Sequence, residues 1–262
     1  MRKTVLCMVL LLACGQAAAD PTKVNAGRGV EINAECDVES DYDFALSERS
    51  VIFTRSSGTP KTVLMRQGRL FVDDRWVEVS DADMKRLLDY EREARAVMPL
   101  AQQIGRDAAQ IAFTAIGEVA AGFSSDPAGT RAKLADARKQ IDARIARSIT
   151  ANHFSGEELG EGIGAAVTDA LPTVIGDIVG GAVRAAFGDG ERLQRLENLD
   201  AEIEALVEPR AKALEKNANA LCRRMESLDR IENALDFRLP DGDALELLEV
   251  RRSTHANAGG HP

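Results

Sequence analysis

Acidic residues early in the chain have a spacing that could bind a calcium ion. A helix-flanked calcium loop places oxygen ligands at alternate positions, has glycine in the middle and ends on a bidentate glutamate. Here the middle position is Tyr42 rather than glycine, and β-rich runs rather than helices flank the segment. In a β-strand the alternate acids would share one solvated face, and we favour that interpretation. The acids at the ligand positions are Asp37, Glu39, Asp41, Asp43 and Glu48.

No group of residues specifies a catalytic reaction. The three histidines, His153, His255 and His261, are far apart or lie in the tail. The sequence has no zinc-protease, serine-hydrolase, P-loop or dinucleotide-binding signature. Acids are abundant, but spacing alone selects no pair for acid–base catalysis. We therefore expect a protein that is not an enzyme and binds no cofactor or metal, with an unrecognised hydrolase as the alternative.

The segment 127–150 is basic within an acidic chain. It has six cationic side chains against Asp136 and Asp142, on an amphipathic helix that is expected to begin at Pro127. This face could contact an anionic lipid surface or an acidic partner. The alternative is that its side chains are solvated or pair with the chain's own acidic stretch 197–208, because charge runs are usually solvated faces. The six residues are Arg131, Lys133, Arg138, Lys139, Arg144 and Arg147.

Residues 1–19 have the pattern of a secretory signal peptide. Arg2 and Lys3 form a positive start, an apolar run follows, and small alanines precede Asp20. Cleavage before Asp20 would remove two positive charges and change the formal net charge from -9 to -11. We therefore expect a periplasmic protein, and an exported acidic domain lacks the basic footprint that nucleic-acid binding requires.

Two of the four cysteines are expected to remain in the mature chain. Cys7 leaves with the signal peptide. Cys14 lies in the lipobox-like run 11–15, so the alternative to a soluble protein is one that is lipid-anchored at Cys14. Cys36 and Cys222 remain, and two cysteines in an oxidising compartment predict one disulfide. Two buried free thiols are the alternative.

The pattern of elements predicts an α+β fold in a single mature domain over 20–252. Short β-rich runs separated by turn residues predict an antiparallel meander in 29–79. Because so small a sheet buries little by itself, one of its faces should pack on helices. Ser80 begins the helical part, 80–252, with a capping pattern that ends at Asp83.

Three further segments complete the predicted layout. Pro99 allows a new helix to begin, and apolar residues in 193–235 recur as in a long, coiled-coil-like helix that Pro209 should kink or split. The segment 156–190 is rich in glycine and alanine, which favours a tightly packed or loosely ordered helical hairpin, with membrane insertion or self-association as the alternative. The tail 253–262 has the composition of a disordered segment.

The order of these features resembles one known family. A cysteine soon after the mature start precedes a meander, Ser80-Asp81, Asp89-Tyr90, Pro99, a glycine-rich middle and Cys222 in a charged helix. In this respect the chain resembles the YggN-like periplasmic proteins, a family of unknown function also catalogued as a DUF. The resemblance implies a periplasmic location, this overall layout and pairing of Cys36 with Cys222. It implies no catalytic residues.

We expect a non-enzymatic protein that acts by protein–protein interaction in the bacterial cell envelope, or by self-association through its helices. Long amphipathic helices present packing surfaces, whereas no polar cluster presents chemistry. No segment after the signal peptide is long and apolar enough to span a bilayer. The alternative is a peripheral envelope protein that touches anionic lipid through the basic helix and the glycine-rich hairpin.

Overall fold

The computed structural model describes residues 3–4, 35–124, 126–161, 163 and 190–252, with the backbone alone at 3–4, 123 and 190–201. None of the helices within these ranges is long and apolar enough to cross a membrane. Several predicted features lie outside the described residues: most of the signal peptide 1–19, the run 11–15 with Cys14, the first predicted strand at 30–32, most of the segment 156–190 and the tail 253–262.

The described strands and helices follow the predicted order, strands first and long helices after. The strands are β1 (Lys3–Thr4), β2 (Cys36–Ser40), β3 (Asp43–Leu46), β4 (Val51–Thr54), β5 (Thr62–Arg66), β6 (Arg69–Val72), β7 (Arg75–Val77), β8 (Ile149–Thr150), β9 (His153–Ser155) and β10 (Glu249–Arg252). The long helices are α1 (Asp81–Phe123), α2 (Pro127–Ser148) and α3 (Gly190–Asn233). This arrangement confirms the α+β class.

The larger sheet is antiparallel throughout, with the strand order β7-β6-β5-β4-β3-β9-β8. Strands β3 to β7 are neighbours in sequence order, so the predicted meander is confirmed. The β5–β6 turn has Gln67 and Gly68 at positive φ, 53° and 74°, which is the left-handed geometry that tight hairpins require.

The smaller sheet pairs strands from near the two ends of the described range 35–252. Strand β10 follows α3 and runs antiparallel to β2, with Val250 opposite Val38. Strand β1 pairs with the other edge of β2, Lys3 opposite Ser40. It lies within the predicted signal peptide, so a chain cleaved before Asp20 would lose β1 and keep the β2–β10 pair.

The helical part also contributes strands, which the sequence pattern did not indicate. Strands β8, β9 and β10 all lie within 80–252. The side chain of Arg95 on α1 donates to the carbonyl oxygens of Ser47 and Ala151 at 2.9 and 3.1 Å. Gln102, two turns further along, donates to the carbonyl of Ile149 at 2.7 Å. Side chains of α1 therefore attach the β8–β9 hairpin to the end of the meander.

Helices α1 and α3 pack side by side in opposite directions. Ion pairs and a hydrogen bond join the start of α1 to the end of α3, then continue inwards along both helices. The pairs are Arg86 with Asp236 at 2.8 Å, Glu93 with Arg224 at 2.9 Å and Asp107 with Asn217 at 3.0 Å. The predicted long C-terminal helix is thus present, and it forms its coiled-coil-like pair within the chain.

The new helix expected at Pro99 and the split considered at Pro209 do not occur. Helix α1 continues through Pro99 and α3 continues through Pro209. An interior proline costs about 3 kcal/mol by removing a hydrogen bond and crowding the preceding turn. Apolar residues beside each proline are buried, Met98 at 5% exposure and Val207 at 2%. Tertiary packing of this kind contributes most of helix stability in proteins, which explains why both helices remain continuous.

The sheet and the helices share one hydrophobic core. Its sheet side alternates along the strands as a half-buried sheet requires, and its helical side comes from α1, α2, α3 and the segment after α3. Helix α1 begins as predicted, because Ser80 caps it by accepting from the amide of Asp83 at 3.1 Å. The meander therefore packs on the helices in one body, and the outer face of the sheet points away from them.

Candidate functional site

The six predicted cationic residues of α2 do not form a single face. Arg131 pairs with Glu118 of α1 at 2.8 Å. Arg138 is half-buried and lies 3.5 Å from Asp142. Lys139 pairs with Asp136 at 3.1 Å on the exposed side. These three cations are therefore engaged with nearby acids.

The other three form a row, which we call the cation stripe: Lys133, Arg144 and Arg147. At 3.6 residues per turn they fall within about 60° of one another around the helix axis. Lys133 and Arg147 are exposed and Arg144 is half-exposed, while Leu134 and Ile145 on another side of α2 are buried in the core. No ion pair within the described part of the chain involves the stripe.

The predicted pairing of α2 with the acidic stretch of α3 is not observed where both partners are described. The described acids of that stretch are Glu202, Glu204 and Glu208, and Glu208 pairs with Lys212 one turn further along α3 at 2.7 Å. The cations of α2 instead meet acids of α1 and of α2 itself. The stripe thus remains a row of three cations, about 21 Å long from Lys133 to Arg147, on an acidic molecule.

The acids with calcium-like spacing are divided between two sheets. Asp37 and Glu39 lie on β2 in the smaller sheet, whereas Asp43 lies on β3 in the larger one. Burial alternates as expected for strands, with Val38 and Tyr42 buried and Asp37 and Asp41 exposed. Within the described ranges no three histidine, cysteine, aspartate or glutamate residues are grouped to hold a metal ion.

Cys36 and Cys222 form a disulfide, as the sequence predicts. Their Cα atoms are 5.8 Å apart across a sequence separation of 186. Both residues are buried and pack with Val38 in a small hydrophobic cluster beside the main core. The bond attaches the start of β2 to the last third of α3.

Three buried carboxylates accept hydrogen bonds from backbone amides. The sequence indicated Asp83 only as part of the helix-capping pattern, and a lone acid among 42 Asp and Glu residues carries no signal of burial. The three residues are Asp83, Glu91 and Glu232, with side chains directed into the protein rather than into water.

Glu91 attaches the β5–β6 turn to α1. Its two carboxylate oxygens accept from the amides of Gln67 and Gly68 at 3.0 and 2.8 Å. The approach is close, since a Cβ at Gly68 would lie 2.9 Å from Met84 Cγ and 3.0 Å from Leu88 Cγ. The turn therefore needs both glycine and the carboxylate below it.

Glu232 is the most strongly perturbed acid of the structure. Its Oε1 accepts from the amide of Leu247, and its Oε2 is buried with no hydrogen-bond partner among the described residues. Burial raises the pKa of Glu232 to about 8, against the lowering effect of the Leu247 and Leu248 amides. Nearby Tyr90 is also buried with its hydroxyl unpartnered in the described part of the chain, and burial, followed by the charge of Glu232, raises its pKa.

The arrangement of Glu232 and Tyr90 serves packing rather than chemistry on a substrate. Tyr90 is 1% exposed and Glu232 is 3% exposed, so a substrate could not reach either group without opening the core. A perturbed acid in a cleft marks a functional candidate, whereas this acid is sealed between helices and the segment after α3. The solvent-facing candidate is therefore the cation stripe.

Comparison with known proteins adds a family and no activity. No curated protein and no solved structure matches the chain. Residues 36–248, from the disulfide-bonded Cys36 to the residue before β10, match a family profile that covers β2, the larger sheet and all three long helices. The chain therefore belongs to the family described as "Protein of unknown function (DUF2884)".

Proposed function

We propose that this chain is an exported, non-enzymatic protein of the bacterial cell envelope that binds an acidic partner protein through the cation stripe. The observation that carries the proposal is the stripe itself: Lys133, Arg144 and Arg147 lie along one side of α2, are exposed or half-exposed, and make no ion pair with described residues. In a chain of formal net charge -9, such a local positive surface steers and orients an anionic partner.

Two features support export to the periplasm. The first 19 residues have the charge, apolar run and small residues of a signal peptide. The Cys36–Cys222 disulfide is the chemistry of an oxidising compartment, since cytosolic thiols are kept reduced. On the same grounds we propose that the YggN-like periplasmic proteins are the branch of the family to which this chain is most similar.

The test is crosslinking of the protein in its native envelope, with variants of the stripe. The triple variant Lys133→Gln, Arg144→Gln, Arg147→Gln removes the positive surface without touching the core. We expect it to lose the partner that the unchanged protein captures. A matched control removes three exposed cations elsewhere, with Arg49→Gln, Lys61→Gln and Lys85→Gln, and should retain that partner. Equal capture by both variants would disprove the role of the stripe.

A peripheral lipid-binding protein is the second candidate, because anionic head groups recognise the same cations and the run 11–15 places Cys14 where a lipid anchor would be attached. Flotation with vesicles of neutral or anionic lipid distinguishes it. Binding to anionic vesicles that salt weakens and the stripe variant abolishes would favour lipid over protein. An intact mass that begins at an acylated Cys14, rather than at Asp20, would make the protein a lipoprotein.

A further inference from the structure

The outer face of the larger sheet carries an apolar row that crosses five strands. Registered cross-strand partners place Trp76 beside Phe71, Phe71 beside Leu64, Leu64 beside Ile52, and Ile52 beside Ala45. Side chains alternate along a strand, so these five point away from the core residues between them. We call them the outer row.

The outer row is separate from the core and reaches solvent. None of its members belongs to the hydrophobic clusters formed by the described residues. Trp76 is 64% exposed, more than the other large apolar side chains that are exposed in the structure, and the other four are half-buried. An exposed sheet usually alternates apolar residues inward with polar residues outward. A continuous apolar row on the outward face is therefore typical of a contact surface.

Charged residues lie along both margins of the outer row. Two cations face each other at the β5–β6 turn, with the exposed Glu78 just after β7 on the same side, and two acids form the β6–β7 turn beside the exposed Lys61. Arg66 and Arg69 are exposed and face each other directly across β5 and β6 at one margin. Neither forms an ion pair within the described ranges, and like charges directly opposite destabilise a sheet. The other margin contains Thr62, at the start of β5. The exposed residues Asp73 and Asp74 of the β6–β7 turn lie beside it, and the amide of Asp73 donates to the carbonyl of Thr62.

We propose that the outer row binds the outer row of a second copy of this chain, forming a two-fold symmetric dimer with the two sheets face to face. A two-fold axis parallel to the outer row places each margin of one copy over the opposite margin of the other copy. It places Arg66 and Arg69 of each copy over the Thr62 and Asp73-Asp74 margin of the other. Identical surfaces that complement themselves in this way are the requirement for a symmetric dimer, and face-to-face packing is the usual way in which two sheets cover apolar faces.

The size of the surface indicates a weak dimer. Five strands at about 4.8 Å spacing and three outward positions along each strand cover about 450 Å² per copy. The total of about 900 Å² is at the low end for specific interfaces. We therefore expect dissociation at roughly micromolar concentration, with a monomer in dilute solution. This inference does not depend on the cation stripe, which lies on α2.

Trp76 is the one tryptophan of the sequence, so its fluorescence reports directly on the outer row. The test combines sedimentation velocity of the purified, oxidised protein with tryptophan emission over the same concentration range. We expect a change from monomer to dimer together with a blue shift of the emission as Trp76 leaves water. Emission typical of a buried tryptophan in the monomer would mean that another part of the chain covers the row, and would overturn the proposal. A monomer with exposed tryptophan at all concentrations would also overturn it.

Variants locate the contact. Leu64→Glu should weaken dimerisation at least tenfold, whereas Leu206→Glu, a change at a helical leucine that is 42% exposed, should leave it unchanged. Arg69→Glu and Asp74→Arg should each weaken it, and an equimolar mixture of these two variants should recover a dimer, because each altered charge then meets its opposite. Dimers that survive Leu64→Glu, or a mixture that fails to recover, would contradict the proposal.

Discussion

The carboxylate of Asp83, in the first turn of α1, accepts the backbone amide of Asp236, which follows the end of α3, at 3.0 and 3.1 Å. The two residues are 153 positions apart. The same carboxylate accepts the amide of Phe237 at 2.9 Å and pairs with Arg86 at 2.7 Å. One side chain thus joins the entrance of the helical pair to its exit.

Replacement of Asp83 should be costly for this reason. Burial acts to raise the pKa of Asp83, but the amides of Asp236 and Phe237 and the Arg86 guanidinium together lower it. Asp83→Asn removes the charge and turns an amide group towards two backbone donors, so we expect a loss of about 2 to 4 kcal/mol in the free energy of unfolding. Urea denaturation measures this loss. Asp81→Asn, an exposed aspartate of the same turn, should change stability by less than about 1 kcal/mol.

Glu232 should make the protein less stable as the solution becomes alkaline. Its pKa is raised in the folded state to about 8, so the folded protein retains a proton that the unfolded chain has released. The stabilisation is complete below the ordinary glutamate pKa and is lost as pH rises towards 8. Each pH unit within this window is worth about 1.4 kcal/mol, up to about 5 kcal/mol in all.

Urea denaturation of the unchanged protein and of Glu232→Gln between pH 5 and pH 9 isolates this effect. The variant keeps an oxygen for the Leu247 amide and has no proton to lose. Its stability relative to the unchanged protein should therefore rise with pH. A difference between the two proteins that stays constant over the range would contradict the raised pKa.

Reduction of the disulfide should lower stability without changing the fold. The bond between Cys36 and Cys222 closes a loop across 186 positions, and closure of so long a loop restricts the unfolded chain by about 3 to 5 kcal/mol. The variant Cys36→Ala, Cys222→Ala should lose a similar amount. A reductant should lower the urea midpoint of the unchanged protein and leave that of the variant unaltered.

Replacement of three glycines by alanine should change the free energy of unfolding in different directions. Gly68→Ala combines a positive φ of 74° with a clash against Met84 and Leu88, so a loss of more than about 2 kcal/mol is expected. Gly242→Ala has a positive φ of 95° but open space around the new Cβ, so about 1 kcal/mol should be lost. Gly117→Ala lies within α1 with Leu134 at an ordinary 3.8 Å, and should gain about 0.5 to 1 kcal/mol. Thermal unfolding of the three variants measures the order of their stabilities.

Local signals in the sequence predicted the elements that depend on neighbouring residues. The Ser80 cap, Pro127 at the start of α2 and the turn residues of the meander each act within a few positions, so each was identified. Strand β10 and the β8–β9 hairpin were missed because they are short and exist through distant partners, such as β2 for β10. The new helix expected at Pro99 and the split considered at Pro209 are wrong because packing, which has no local signal, outweighed the cost of each proline.

The candidate surfaces, too, could be predicted from the sequence only in part. Charge counting found the basic helix, but only the fold separates Arg131, which pairs with Glu118, from Arg144, which makes no ion pair with a described residue. Cysteine counting found the disulfide, because only two cysteines remained to pair. The outer row needs the register of five strands, and Trp76 alone among scattered apolar residues gave no indication of it.

The Cys36–Cys222 bond also makes most of the described chain a covalent ring. A protease that cuts once between these residues opens the ring but releases no fragment, so the nicked protein keeps its mass apart from one added water. Two cuts within the ring are needed to free a piece, and the segments outside it can be trimmed independently. An oxidised molecule therefore tolerates a single break in its backbone, whereas the same break in a reduced molecule separates β2 and the residues up to the cut from the rest.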